Sequence, residues 1–387
     1  MQRPRVLLAI LVYGGSDFVP ACLQSAAGLR AGPNRVDVLV LDDCSPDEAW
    51  AADLARTCAS LDIGYYRSPR NIGIPRSMNL ALLQARSGGY DHVIIANSDV
   101  VFPLNLATVL VKVAEANPDA GSVTAWSNNV SIFSLPSADR STLAQQDVVD
   151  WVSYQLENEF GTTAAEIPTA VGFCMLVPMP VAARVGLFDP LFGRGYCEEV
   201  DWSQRARALG YRNLLAPATF VFHYGGASTR VAGLLVGDGT TTVAAHERII
   251  DFRHPAYRAE VDAFERTASL SGLVARGSRA VVLAAGRRWG YRVEATSFGT
   301  GAGAGVPFLV LPDTPDLVAT GHYCGFATDI AVPAGADPAA TLQATLGRPP
   351  HGVTILDRGR NSDRLAIAAW DDGITVEDRH SYPERVW

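Results

Sequence analysis

The chain has 387 residues, 48% of them hydrophobic and 19% charged, with a formal net charge of −8 and a pI near 5.4. This composition is globular and long enough for one large core and a smaller second one, while its acidic balance argues against the basic face that a nucleic-acid binder needs. The six cysteines (Cys22, Cys44, Cys58, Cys174, Cys197 and Cys324) include no CxxC pair, so reduced thiols in a cytoplasmic protein are expected rather than a zinc site or a disulfide framework.

Residues 6–13 are an apolar run followed by Gly14-Gly15-Ser16-Asp17 without a convincing cleavage site. They read as a buried first strand rather than a signal peptide. Residues 36–41 and 92–96 are two more Val/Ile/Leu-rich runs. Helical stretches are expected at 22–29, 49–59, 77–85 and 105–116, the last stopped by Asn117-Pro118. The alternation predicts βαβ units with central parallel strands, whose ligand lies outside the carboxyl ends. Attention therefore falls on the residues after Val12, Leu41 and Ala96. No run of about 18 apolar residues occurs, so no transmembrane segment is expected, which leaves room for peripheral contact with a lipid-linked acceptor.

Past residue 255 a helix is expected at 260–268, then Gly, Ala and Pro become frequent and β-like runs appear at 307–311 and 373–376. The expected division is an α/β domain over 1–255 and a partly β accessory region over 256–387. Within the latter, Gly299, Gly301 and Ala304 satisfy a dinucleotide-type G-x-G-x-x-A spacing after a strand-like run at 291–297. Pro307 and a β-like run follow where a helix should start, so a flexible glycine loop is expected instead.

Directly after the second strand comes Asp42-Asp43-Cys44-Ser45-Pro46-Asp47, placed to hydrogen-bond a base or ribose, although Asp and Ser also cap helices. Asn71-Ile72-Gly73 with Asn79 follows, a pattern equally suited to a turn. Asn97-Ser98-Asp99 puts a carboxylate at the edge of the third strand; a hard cation on a diphosphate needs only one or two such groups. Glu198, Glu199 and Asp201 precede a helix near Trp202, where acids either complement the macrodipole or supply a general base. His223 follows a strand at 218–222 and precedes Gly225-Gly226, a loop able to fold over phosphate.

In this order the motifs resemble the family 2 glycosyltransferases and, with Asn97 in place of an aspartate, their bacterial rhamnosyltransferase-like branch. Gly172-Phe173-Cys174-Met175, the stretches 185–189 and 192–202, Arg205, Gly210-Tyr211-Arg212 and Phe222-His223-Tyr224-Gly225-Gly226 continue the pattern. Trp126-Ser127-Asn128-Asn129 also resembles a segment of that branch. The resemblance implies a GT-A fold, a mixed and mainly parallel sheet flanked by helices. It also implies a nucleoside-diphosphate-sugar donor, with UDP- or dTDP-sugars favoured, and a hydroxyl acceptor on a glycan, glycolipid or natural product. Asp42 would read the base, with Tyr13, Asp43, Asn71, Gly73, Asn79 and Asn97 lining the donor site. Asp99 and His223 would hold Mg²⁺ or Mn²⁺. Glu199 would be the general base of one inverting displacement, within an acidic motif that includes Glu198 and Asp201. A catalytically silent nucleotide-sugar-binding protein would not need that acidic motif. A sugar-nucleotidyltransferase would carry a basic residue in the loop Tyr13-Gly14-Gly15-Ser16-Asp17, which has none.

Overall fold

The computed structural model describes residues 3–29, 34–135, 143–225, 242–296, 306–310, 318–333, 336–357 and 359–378. Gly226 and the glycine loop at 299–304 lie outside the described residues. The described chain divides into two compact units, one within 3–273 and one within 274–378.

In the first unit the elements run β1 (Arg5–Val12), α1 (Val19–Gly28), β2 (Arg35–Asp42), α2 (Glu48–Ser60), β3 (Gly64–Arg67), α3 (Ile74–Ser87), β4 (His92–Asn97), β5 (Val100–Val101) and α4 (Leu106–Ala116). They continue through β6 (Ala120–Ser127), α5 (Gln146–Phe160), β7 (Ala165–Ile167), β8 (Cys174–Pro178), α6 (Met179–Val185), α7 (Glu198–Ala208) and β9 (Arg212–His223). Two helices follow, α8 (Thr242–Arg253) and α9 (Tyr257–Glu265). Helices α1 and α3 begin a turn earlier than the sequence periodicity suggests, because Pro20 and Pro75 sit in their first turns, where a missing N–H costs nothing.

The sheet order is β3-β2-β1-β4-β8-β6-β9-β5, with β7 also on β9. Strands β1 to β4 pair in parallel, and β8 runs antiparallel between β4 and β6. Both faces are covered, so β1 and β4 are apolar between their ends: Val6, Leu8, Ile10, Val93, Ile94 and Ile95 have no exposed surface. Register matters most at the carboxyl edge. Val12 lies opposite Asp42 and Leu11 opposite Asn97, so the loops after β1, β2 and β4 open on one line. Strand β9 is longer than expected because its pairing with β6 jumps from Ala216 to Phe220; Pro217 occupies that irregularity, where no ladder donor is needed.

The helix expected at 260–268 breaks at Arg266-Thr267, and α10 (Ala268–Trp289) starts just beyond. Two further helices, α11 (Pro338–Leu346) and α12 (Arg360–Asp371), accompany a six-stranded sheet in the second unit. Its strands are β10 (Tyr291–Ala295), β11 (Val306–Val310), β12 (Val318–Tyr323), β13 (Phe326–Ala331), β14 (Val353–Ile355) and β15 (Val376–Asp378), in the order β13-β12-β11-β10-β14-β15. The last strand begins where the β-like run at 373–376 was expected to end. Cys324 and Gly325 both have positive φ, the signature of a two-residue hairpin turn between β12 and β13. All six cysteines are free thiols, and no helix among the described residues is long and apolar enough to cross a membrane.

Candidate active site

Antiparallel pairing of β5 with β9 sets Val100 opposite His223, which brings Asp99 beside the imidazole. Nε2 of His223 lies 3.2 Å from Oδ1 of Asp99. Asp99 is 1% exposed, yet neither of its carboxylate oxygens nor the His223 Nε2 has a hydrogen-bond partner. The ring is fixed from behind. Its Nδ1 donates to the Asn129 carbonyl at 2.9 Å, and Phe173 stacks on it with centroids 5.4 Å apart. Asn128 brackets the backbone, accepting from the His223 N–H at 2.8 Å and donating to its carbonyl at 3.1 Å. A carbonyl only accepts, so Nδ1 carries a proton, and the ring turns its Nε2 toward the carboxylate.

A buried carboxylate facing an imidazole nitrogen, neither with a hydrogen-bond partner, suits a divalent cation, and the backbone carbonyl on Nδ1 is the usual support for a ligating histidine. Among the described residues no three His, Cys, Asp or Glu side chains converge as a metal-ligand set. Two ligands suffice when diphosphate oxygens complete the shell, so the residues present fit an ion that arrives with the donor.

The loops around this pair depart from the expected donor contacts. Asp42 has no exposed surface. Its Oδ1 accepts from the Ser45 N–H (2.8 Å) and Oγ (2.6 Å), and its Oδ2 from the Tyr65 hydroxyl at 2.8 Å, with Arg67 Nε 3.2 Å away. Three hydrogen bonds and an ion pair hold the carboxylate, so Asp42 organises its own loop. Asp43 clamps the next loop instead, its two oxygens accepting from the N–H groups of Ile72 and Gly73 at 2.7 and 2.8 Å. Burial raises the Asp43 carboxyl above its ordinary value despite those two donors. Asn79 is also committed internally: it accepts from the Phe188 N–H at 2.8 Å and donates to its carbonyl at 2.9 Å. Asp47 caps α2 through the N–H groups of Ala49 and Trp50. Tyr13, Asn71 and Asn97 remain half-buried.

The acidic motif splits by role. Tyr196 and Cys197 both adopt left-handed backbone (φ 72° and 75°), a costly conformation for non-glycine residues that turns the chain directly into α7. Glu198 is 4% exposed, and Oε2 of both Glu198 and Glu199 is buried without a partner. Burial and the charge of Glu199 push the Glu198 carboxyl well above the usual range, and burial raises Glu199 as well. A Cβ on Gly172 would lie 3.9 Å from Glu199 Cδ. The neighbouring Phe173 is the ring stacked on His223, and its carbonyl accepts the Asn97 N–H at 2.9 Å. Gly172-Phe173 thus borders both the acid pair and the Asp99–His223 pair.

Asp201, expected within the catalytic set, is occupied. Its Oδ2 accepts from Arg205 Nε at 2.9 Å, and its Oδ1 meets Arg253 Nη1 and His254 Nε2 at 3.1 Å each. Burial would raise its pKa, but His254, Arg205 and Arg253 together hold it below the ordinary value. Arg253, His254 and the Ser45–Tyr65–Arg67 group were not singled out in the sequence. The pair of histidines and arginines in His246-Glu247-Arg248 and Arg253-His254 was the available signal, a weak one without a motif around it.

Residues 8–184 match the model of Glycosyl transferase family 2. The match lies within the N-terminal unit, whose mixed, mainly parallel sheet flanked by helices is GT-A-like. No curated protein matches the chain in sequence. Among solved structures it is similar to the mannosyltransferase PcManGT from Pyrobaculum calidifontis in complex with GDP-Man and Mn²⁺ (16% identity, 74% of this chain and 75% of that one, TM-score 0.46). It is also similar to S. aureus TarS 1–349 in complex with UDP-GlcNAc (13% identity, 72% and 82%, TM-score 0.43). GalNAc-T7 with UDP, GalNAc and Mn²⁺ is a third (12% identity, 66% and 51%, TM-score 0.43), this chain spanning about half of that chain.

Proposed function

We propose that this protein is a metal-assisted, inverting glycosyltransferase that moves a hexose or deoxyhexose from a UDP- or dTDP-sugar to a hydroxyl of a glycan, glycolipid or natural product in the cytoplasm. The observation that carries the proposal is the buried, donorless Asp99–His223 pair, with Phe173 stacked on His223 and the adjoining Gly172 next to Glu199. Asp99 and His223 would hold Mg²⁺ or Mn²⁺, and such an ion supplies charge neutralisation to a departing diphosphate. Tyr13, Asn71 and Asn97 line the donor cleft, while Asp42 and Asp43 shape the loops facing it.

On the acceptor side Glu199 receives the hydroxyl proton as the acceptor oxygen attacks the anomeric carbon. One displacement inverts that centre. Burial of both acids fits the task, because a base with an elevated pKa is closer to the proton affinity of its partner in the transition state. Glu198, the more buried of the two, has its carboxyl raised by burial and by the charge of Glu199. Residues 256–387 are proposed as an accessory region outside the donor site.

Calorimetric titration of UDP and dTDP into the full chain, with Mn²⁺ and with EDTA, tests the metal. Binding should weaken markedly in EDTA and in Asp99→Ala. Equal affinity under all conditions would remove the ion from the mechanism.

A further inference from the structure

The family match ends at residue 184, yet the acids of α7 are braced by residues beyond 240. Helix α8 and the corner into α9 deliver three side chains to the acidic segment. His246 is 7% exposed, and its Nδ1 lies 3.0 Å from the Gly195 carbonyl. Phe192 meets that ring edge-on at 5.4 Å. Arg253 bridges Asp189 at 2.9 Å and Asp201 at 3.1 Å, and His254 reaches Asp201 at 3.1 Å. Asp189 and Gly195 flank the turn that enters α7, and Asp201 lies one turn inside it. Phe192, Val200 and Ile250 form a small apolar cluster beneath, with Tyr257 packed against it.

We infer that the α8–α9 corner is a positioning element for the transfer reaction, in which Arg253 and His254, acting through Asp201, and His246, acting through Gly195, hold Glu198 and Glu199 against Gly172. The inference rests on Glu199 being the base. The turn needs such a brace. Gly195, Tyr196 and Cys197 all have positive φ, and strained backbone persists only where its surroundings over-determine it. Arg253 also sets the local charge. Asp201 carries a charge one turn from two buried carboxylates, and Arg205, Arg253 and His254 neutralise it where it would otherwise raise their proton affinity further. Cys197 faces Glu198 and Glu199 and is itself flanked by Glu247 and Arg258, and Tyr257 faces Glu199; the side-chain partners of Asp201 are Arg205, Arg253 and His254.

The test uses the full chain carrying δ-¹³C-glutamate, with the Glu198 and Glu199 signals assigned by difference against Glu198→Gln and Glu199→Gln. In Arg253→Met the titration midpoint of the pair should move to higher pH. Release of UDP or dTDP from UDP-glucose or dTDP-rhamnose with Mn²⁺, whichever the chain cleaves, should fall by roughly 10- to 100-fold, as a small misplacement of a reacting group does. Donor dissociation constants should stay unchanged. His254→Gln, which keeps a donor toward Asp201, should lose less than His254→Ala, and circular dichroism melts should show all variants folded at the assay temperature. An unmoved midpoint with unchanged release in Arg253→Met, or equal losses in the two His254 variants, would overturn the inference. Should Glu199→Gln itself release nucleotide normally, the base assignment fails first, and the ¹³C midpoint still reports whether the corner controls the acids.

Discussion

Gly73 rests on the backbone of Gly193: a Cβ on Gly73 would fall 2.0 Å from the Gly193 carbonyl oxygen and 3.1 Å from Arg194 Cα. The Ile74 N–H donates to the Arg194 carbonyl at 3.4 Å across the same contact. The donor-side loop clamped by Asp43 is thereby fastened to the loop that leads into the acid pair.

Replacing Gly73 by Ala attacks that contact twice. Its backbone (φ 83°, ψ 158°) belongs to a region essentially reserved for glycine, costing about 1–3 kcal/mol for another residue, and the methyl overlaps a backbone oxygen that has no rotamer to retreat into. Gly73→Ala should lower the melting temperature and weaken nucleotide binding together. Gly272→Ala, with nothing within 4 Å of its Cβ, should leave both intact. Calorimetry and thermal melts on the two variants decide it, and a Gly73→Ala protein as stable as its parent would disprove the contact.

Asp42 offers a sharper discrimination between reading a base and holding a loop. Its carboxylate has no exposed surface and supports Ser45, Tyr65 and Arg67. Asp42→Ala should therefore cost about 3–5 kcal/mol, the usual penalty for breaking a buried ion pair, and denaturant melts should show it before any nucleotide is added. A variant of normal stability that had lost only uridine or thymidine discrimination would restore Asp42 to the base.

The contrast shows what a sequence conveys. Strand ends were legible because apolar runs of this length leave few alternatives, which put Asp99 and His223 at strand ends; the β5–β9 pairing that brings them together was not, because a two-residue strand has no periodicity to read. The occupancy of a side chain was not. Asp42 and Asn79 stand where a donor contact would stand, but Tyr65 and Phe188, from 23 and 109 residues away, satisfy them. The same holds for Asp201, whose partners Arg253 and His254 arrive from 52 and 53 residues downstream. Helix α10 was hidden by Gly272, Gly277 and Gly286 within it, residues that weaken helix propensity without preventing a helix that packs.

The metal pair predicts an asymmetric pair of mutants. Asp99→Asn removes the carboxylate charge and leaves an amide beside His223, whereas His223→Ala keeps the carboxylate and loses the nitrogen ligand. Nucleotide affinity in Mn²⁺ should fall in both and further in Asp99→Asn, because the ionic contribution dominates for a hard cation. Raising Mn²⁺ should rescue His223→Ala more fully, and titrations at several Mn²⁺ concentrations measure the difference. Identical behaviour of the two variants would exclude a shared ion.

The buried acids also make stability depend on pH in a definite direction. A carboxyl whose pKa is raised on folding binds its proton more tightly in the native state, so stability falls as pH rises from the ordinary carboxylate range through the elevated folded value. Glu198 is the more strongly displaced, and each tenfold gain in proton affinity costs about 1.4 kcal/mol once the pH is above it. Glu198→Gln, always neutral, should melt higher than the parent at neutral and mildly alkaline pH and lose that advantage near pH 4. Melting curves across this range check the sign, and a variant less stable at pH 8 than at pH 4 relative to the parent would contradict it.

Glu199→Gln carries the functional proposal. The substitution keeps the size and most of the packing against Gly172, so the fold and the Asp99–His223 pair 3.2 Å apart should be undisturbed. Donor affinity should therefore stay within error of the parent. Basicity is what disappears, and transfer should drop by roughly 10²–10⁴, the contribution of a positioned general base. Glu198→Gln tests the division of labour: if Glu198 is protonated while Glu199 works as base, the amide replaces a neutral acid and transfer should fall far less. The acid limb of the parent's pH–rate profile should lie above the ordinary glutamate range, in keeping with the upward displacement of Glu199 by burial, and should stay there in Glu198→Gln, because a neutral amide then replaces a neutral acid. Transfer rates and donor dissociation constants measured side by side for both variants give the answer. Near-normal transfer in Glu199→Gln with collapse in Glu198→Gln would move the base by one residue, and near-normal transfer in both would remove the acidic motif from the chemistry.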